Sequence, residues 1–164
     1  MLKLCHNIGQ LRFHELMEVY SQSNRDNARE RYTHLDDSAA LMQAEQDFYH
    51  YLSQVFFKTA GAVYALWEDH GTCISALRME PYQDGFLLEA LETHPAYRRK
   101  GFASSLIRAV QVQYRGKRIY SHVHKKNEYS LAVHTTCGFR KILDHGVYID
   151  GSVTQNSVTL LWEE

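Results

Sequence analysis

Apolar residues change period along this chain, and each change marks an element. From Ala103 they recur at Leu106, Ile107, Val110 and Tyr114, which are 3, 4, 7 and 11 positions on and share one face of a helix. The stretch before it, residues 86–93, is apolar and strand-like and stops at Pro95. Upstream, residues 2–5 read as a short strand and residues 10–21 as a helix carrying Leu11, Leu16, Val19 and Tyr20. Residues 24–31 are strongly charged and read as a loop or a frayed helix. Asp36, Asp37 and Ser38 offer N-caps to a longer helix, whose stripe is Leu41, Phe48, Leu52, Val55 and Phe56. Two strands, residues 62–67 and 73–79, pair around Asp69-His70-Gly71, and a turn from Pro81 to Gly85 leads into the strand before the helix at 103. A strand at 118–124, a helix at 128–136 and a final hairpin across Asp150-Gly151 complete the order. Strands and helices in this order predict a mixed α/β sheet with helices on its faces.

Length and charge bound the function. At 164 residues the chain suits a single domain, 1–164, able to bury roughly 70% of its unfolded surface. A net charge of −1 gives no basic surplus for phosphate neutralisation, so nucleic acid is not an expected partner. No apolar run approaches the ~20 residues of a membrane span, and the start lacks the apolar core of a signal peptide. Cys5, Cys73 and Cys137 are odd in number and unpatterned, which argues against a disulfide framework and for a cytoplasmic setting. Ten histidines raise the question of a metal. His122 and His124 share a strand face, but spacing places no third ligand and neither Cys-x-x-Cys nor His-x-x-x-His occurs, so no metal is expected.

The chemistry concentrates at Arg98-Arg99-Lys100-Gly101-Phe102-Ala103-Ser104. A strand that feeds a glycine-bearing turn and a helix start makes an anion site, because the first N–H groups of a helix lack intrahelical partners and the dipole is positive there. Gly101 and the small Ala103 let a phosphate approach the backbone. Three cations at a helix N-terminus oppose the dipole; a bound anion gives them a reason, and an ordinary basic helix start is the competing reading. The pattern suits a pyrophosphate.

Arg98-x-x-Gly101-x-Ala103, after Thr93-His94-Pro95-x-Tyr97, resembles the acetyl-CoA signature of the GNAT superfamily of N-acetyltransferases, Gln/Arg-x-x-Gly-x-Gly/Ala. A second block lies about thirty residues on, the spacing of a strand crossover. There Asn127, Ser130, Val133, His134, Gly138 and Phe139 fall in register on the family's Asn-x-x-Ala-x-x-Leu-Tyr-x-x-x-Gly-Phe, with Ser130 in place of Ala and His134 in place of Tyr. The likeness spans residues 62–162, and the first sixty carry none. It implies a single-domain α/β fold with a mixed, mostly antiparallel twisted sheet and helices on both faces. It implies acetyl-CoA as cosubstrate and direct transfer of its acetyl group to an amine. The diphosphate then falls to Arg98, Arg99, Lys100, Gly101, Phe102, Ala103 and Ser104. The backbone of Leu91, Glu92 and Thr93, on a strand that splays at a bulge, holds the pantetheine arm and polarises the thioester carbonyl. Asn127 and Ser130 contact CoA.

A base and an acid remain to be assigned. An amine is mostly protonated at pH 7 and must lose a proton to attack. Glu89 and Glu92 stand in the apolar strand before the turn, three apart and so on opposite faces unless a bulge brings them together. Either, or water, serves as base, and either equally suits an ion pair with a neighbouring cation. His134 takes the position whose Tyr protonates the departing thiolate in the family; it is an acid or only a CoA contact, and Tyr129 is a nearby substitute. Other readings are a longer acyl donor, or a non-catalytic acyl-CoA-binding or regulatory module that lacks base and acid. Nucleotide binding lacks its Gly-Lys-Ser/Thr and Gly-x-Gly-x-x-Gly motifs. The acceptor is a small-molecule amine or a peptide. Tyr20, Tyr32, Tyr49, Tyr82 and Tyr148 line its pocket or simply pack, and the acidic bias between Glu30 and Asp47 suits a cationic amine. A homodimer stays open.

Overall fold

Residues 1–164 are described by a computed structural model. In chain order its elements are β1 (Leu2–Cys5), α1 (Phe13–Val19), α2 (Ser21–Arg31), α3 (Asp37–Gln54), β2 (Val63–Asp69), β3 (Thr72–Tyr82), β4 (Gly85–Thr93), α4 (Phe102–Gln113), β5 (Arg118–His124), α5 (Glu128–Thr136), β6 (Arg140–Leu143), β7 (Gly146–Val147), β8 (Val153–Thr154) and β9 (Ser157–Trp162). Seven strands form one sheet in the order β1-β2-β3-β4-β5-β9-β6. All its pairings are antiparallel except β4 with β5. A parallel pair needs a crossover, and α4 is that crossover.

Alternation along β2 and β3 divides the apolar residues between two cores. Val63, Ala65, Leu77 and Met79 pack with α4 through Ala103, Leu106, Ile107 and Val110. Tyr64, Leu66 and Ala76 point the other way, to α1 and α3 through Leu16, Val19 and Leu52. Both faces are thus covered, which is why these strands read as nearly unbroken apolar runs. Asp36 caps α3, its carboxylate accepting from the Ala39 N–H at 2.9 Å. No helix is long and apolar enough to cross a membrane.

Three expectations change. Residues 24–31, read as a loop or a frayed helix, belong to a regular helix, α2; only its Asn24 and Ala28 are buried, so packing against α1 and α3 holds a segment that has no apolar stripe of its own. Val55 lies beyond α3 and is 53% exposed, while Phe56 turns inward from the following 3₁₀ turn. The Asp150-Gly151 hairpin is only the small β7–β8 pair; β9 lies between β5 and β6.

The sheet opens beside β4. Arg78 faces Glu89 and Ala76 faces Glu92, so Leu77 opposes both Ala90 and Leu91, a β-bulge. Ala90 has φ +50°, a left-handed conformation unusual for a residue with a Cβ. Tyr20 Oη donates to the Ala90 carbonyl at 2.5 Å and holds the bulge from the helical side. The β4–β5 ladder stops at Leu88↔Ser121, yet β5 stays paired with β9 as far as His124↔Ser157. Past Leu88, therefore, β4 and β5 part.

Candidate active site

That parting forms a cleft of about 750 Å³. Of the residues expected from sequence, Leu91, Glu92, Thr93, Arg98, Arg99, Ala103, Asn127 and Ser130 line it together. At one end is the start of α4, where the first helical hydrogen bond runs from the Ser105 N–H to the Gly101 carbonyl at 3.0 Å. The N–H groups from Gly101 to Ser104 precede that bond and have no partner within the helix. Gly101 is the N-cap at φ +83°, and a Cβ added there would meet no atom within 4 Å. Open space over unbonded N–H groups at a dipole's positive end fits a diphosphate. Lys100, Gly101, Phe102 and Ser104 adjoin Arg99 and Ala103 without themselves lining the cleft.

The three cations divide their work. Arg98 turns back from the helix start, donating Nε to the Thr93 carbonyl at 3.2 Å and Nη1 to Gln22 Oε1 at 2.7 Å, with Glu92 at 3.7 Å. It ties the end of β4 to α2. Lys100 Nζ lies over the Tyr97 ring, 5.2 Å from its centroid. Arg99 alone of the three faces the cleft without an ion pair. Asn127 caps α5, accepting from the Ser130 N–H at 3.0 Å.

The bulge puts both carboxylates on one face of β4 but gives them different neighbours. Glu92 lines the cleft. Burial pushes its carboxyl above the ordinary carboxylate value, while the Ser23 hydroxyl and Arg98 pull it back. Glu89 lies outside the cleft, 3.8 Å from the Arg78 guanidinium; burial raises it too, against the pull of Arg78.

His134 is buried, 1% exposed, and does not line the cleft. Its Nδ1 lies 2.8 Å from the Ser130 carbonyl, which can only accept, so the ring's proton sits on Nδ1. Nε2 is buried without a partner. Burial holds the imidazole below its usual value, opposed by the Ser130 bond. With the proton on Nδ1, a neutral ring has none to give from Nε2. Tyr129 does line the cleft. Cys137 is buried against the Ser104 carbonyl at 3.8 Å.

A second cavity, of about 540 Å³, opens on the α2–α3 side. Ser23 and Glu92 line both spaces, so the two meet there. Tyr20 lines it, but the other tyrosines singled out from sequence are spent elsewhere. Tyr32 donates to Asp47, Tyr82 donates to the Val147 carbonyl, Tyr49 packs on Phe13 and Tyr148 lies against His122. Sequence reasoning missed Gln22, Ser23 and Asp26, which wall the first cleft, because α2 offers no periodic signal.

The family model described as the acetyltransferase (GNAT) family matches residues 13–139. The chain belongs to that family, whose cosubstrate is acetyl-CoA. No curated protein sequence matches it. Among solved structures it resembles the PaiA N-acetyltransferase of Thermoplasma acidophilum in complex with coenzyme A, at 11% identity and TM-score 0.63 over 100% of this chain and 99% of that one. It also resembles an acetyltransferase of Streptococcus agalactiae, at 13% identity and TM-score 0.64 over 100% and 98%. The IAA acetyltransferase of Bacillus cereus aligns at 12% identity and TM-score 0.59 over 100% and 99%. At such identities these likenesses establish the fold: one domain with a mostly antiparallel seven-stranded sheet and helices on both faces.

Proposed function

We propose that this chain transfers the acetyl group of acetyl-CoA directly to an amine, with Glu92 as base. The observation that carries the reading is the position of Glu92, a carboxyl raised by burial where the two cavities join. Acetyl-CoA supplies the activated acyl group. The N–H groups from Gly101 to Ser104 and the side chain of Arg99 bind its diphosphate; the unpaired edge of β4 at Leu91 to Thr93 receives the pantetheine arm. A backbone N–H there is a fixed donor for the oxygen on which charge develops. Glu92 takes the amine's proton directly or through one water. Tyr129, which faces the cleft, returns a proton to the departing thiolate, and His134 positions Ser130 and the start of α5.

The test is release of CoA thiol from acetyl-CoA across a panel of amines, amino acids and peptides. Acceptor-dependent release is expected, with the product acetylated on nitrogen. Tight binding of acetyl-CoA with no release from any acceptor would overturn transfer and assign a non-catalytic binding module.

A further inference from the structure

Two residues that line the second cavity hold side-chain donors without a good acceptor. Arg78 reaches it from β3 with a side chain 17% exposed, its guanidinium over the rings of Tyr51 and Phe56, 5.1 and 5.7 Å from their centroids. Its nearest carboxylate, Glu89, stays 3.8 Å away, beyond hydrogen-bond length. Arg78 Nε is buried with no acceptor at all. Asn24, which lines the same cavity and is 8% exposed, spends its side-chain N–H on the Met17 sulfur at 3.4 Å, a weak acceptor. Asp47, the other acid in this wall, is already used, accepting from Gln43 at 3.0 Å and from Tyr32.

Buried donors without acceptors are costly. A guanidinium fork is matched by a carboxylate accepting at both oxygens. Glu92 lines the same cavity. Arg78 and the Glu92 partner Ala76 are two residues apart on β3, about 7 Å along the strand. Resting on the acetyl-transfer reading, we infer that the acceptor is a free amino acid, its amine beside Glu92 and its carboxylate on Arg78 and Asn24. Tyr20 and Phe48, which also line the cavity, take its apolar body.

Matched acceptors test this. Phenylalanine and phenethylamine, or leucine and 3-methylbutylamine, share amine and side chain and differ in the carboxylate. Thiol release should favour each amino acid at least tenfold in kcat/KM. Arg78→Met should remove that preference by raising KM for the amino acid, with acetyl-CoA titrating as in the parent. Arg78→Lys, which keeps the charge and loses the fork, should fall between and serves if the Met variant does not fold. The assignment is overturned if the carboxylate-free amines are used equally well, if peptides but no free amino acids are accepted, or if the ratio survives both substitutions. Those results leave acetyl transfer standing; failure of the parent to titrate acetyl-CoA would sink both.

Discussion

As the proposed base, Glu92 has to be dry enough to hold a proton and close enough to water to lose it again. Its side chain is 28% exposed, 3.7 Å from Arg98, and burial outweighs that attraction. Glu92→Gln should therefore cut kcat far more than it weakens acetyl-CoA, and the deficit should shrink as pH rises and free amine accumulates. An unchanged rate at neutral pH would return the role to Glu89 or water. Gly101→Asp forces a side chain onto φ +83° and sets negative charge over the free N–H groups; calorimetry should find acetyl-CoA binding lost in a protein that still folds. The two donors separate cleanly. Tyr129→Phe should slow transfer and leave acetyl-CoA affinity nearly intact, whereas His134→Phe should lower stability and change the rate little. A large loss of rate in the His134 variant, with an alkaline limb that Tyr at 134 moves upward, would make residue 134 the acid after all.

At the scale of elements, the bulge in β4 decides where the cleft opens. Ala90 at φ +50° tolerates glycine but not a β-branched residue, so Ala90→Val should destabilise the chain and weaken acetyl-CoA binding while Ala90→Gly keeps both. Tyr20→Phe strands the Ala90 carbonyl and should cost about 1–3 kcal/mol in denaturant unfolding. How much of this was legible in the sequence differs by element. The start of α4 was, because cations, glycine and a helical apolar stripe lie together within a few residues. The likeness to GNAT proteins called for a bulge between Glu89 and Glu92, but nothing local marks Ala90, since its conformation is imposed by Leu77 across the ladder and by Tyr20 from the junction of α1 and α2. Arg98 was legible as a cation and not as a brace: its partners Gln22 and Thr93 are a tertiary arrangement. Helix α2 was legible only as a loop or a frayed helix, because a polar helix held by its neighbours has neither period nor stripe. The cavity wall it builds went with it.

Over the whole molecule, buried acids concentrate on the sheet face that holds the second cavity. Burial raises the Glu80 carboxyl, and Glu89 adds to the shift while Arg78 opposes it. For an acid raised on folding the native state holds the proton more tightly, so stability is greatest below the unfolded value and falls as pH rises through the folded one. Glu80→Gln should flatten that fall in thermal melts run upward from about pH 4.5, with little change below. His122 and His134 work in the opposite sense: burial lowers both, so their contribution is lost as pH drops below ~6.5. The junction at Ser23 and Glu92 has a consequence for rate laws. One carboxylate borders both spaces and the nearby thiol, Cys137, is buried, so on the proposed reading no cysteine stores the acetyl group between two visits. That reading has both substrates aboard together. Double-reciprocal plots of initial velocity at several fixed acceptor concentrations should therefore intersect; a parallel set would mean a stored acyl group and a ping-pong cycle.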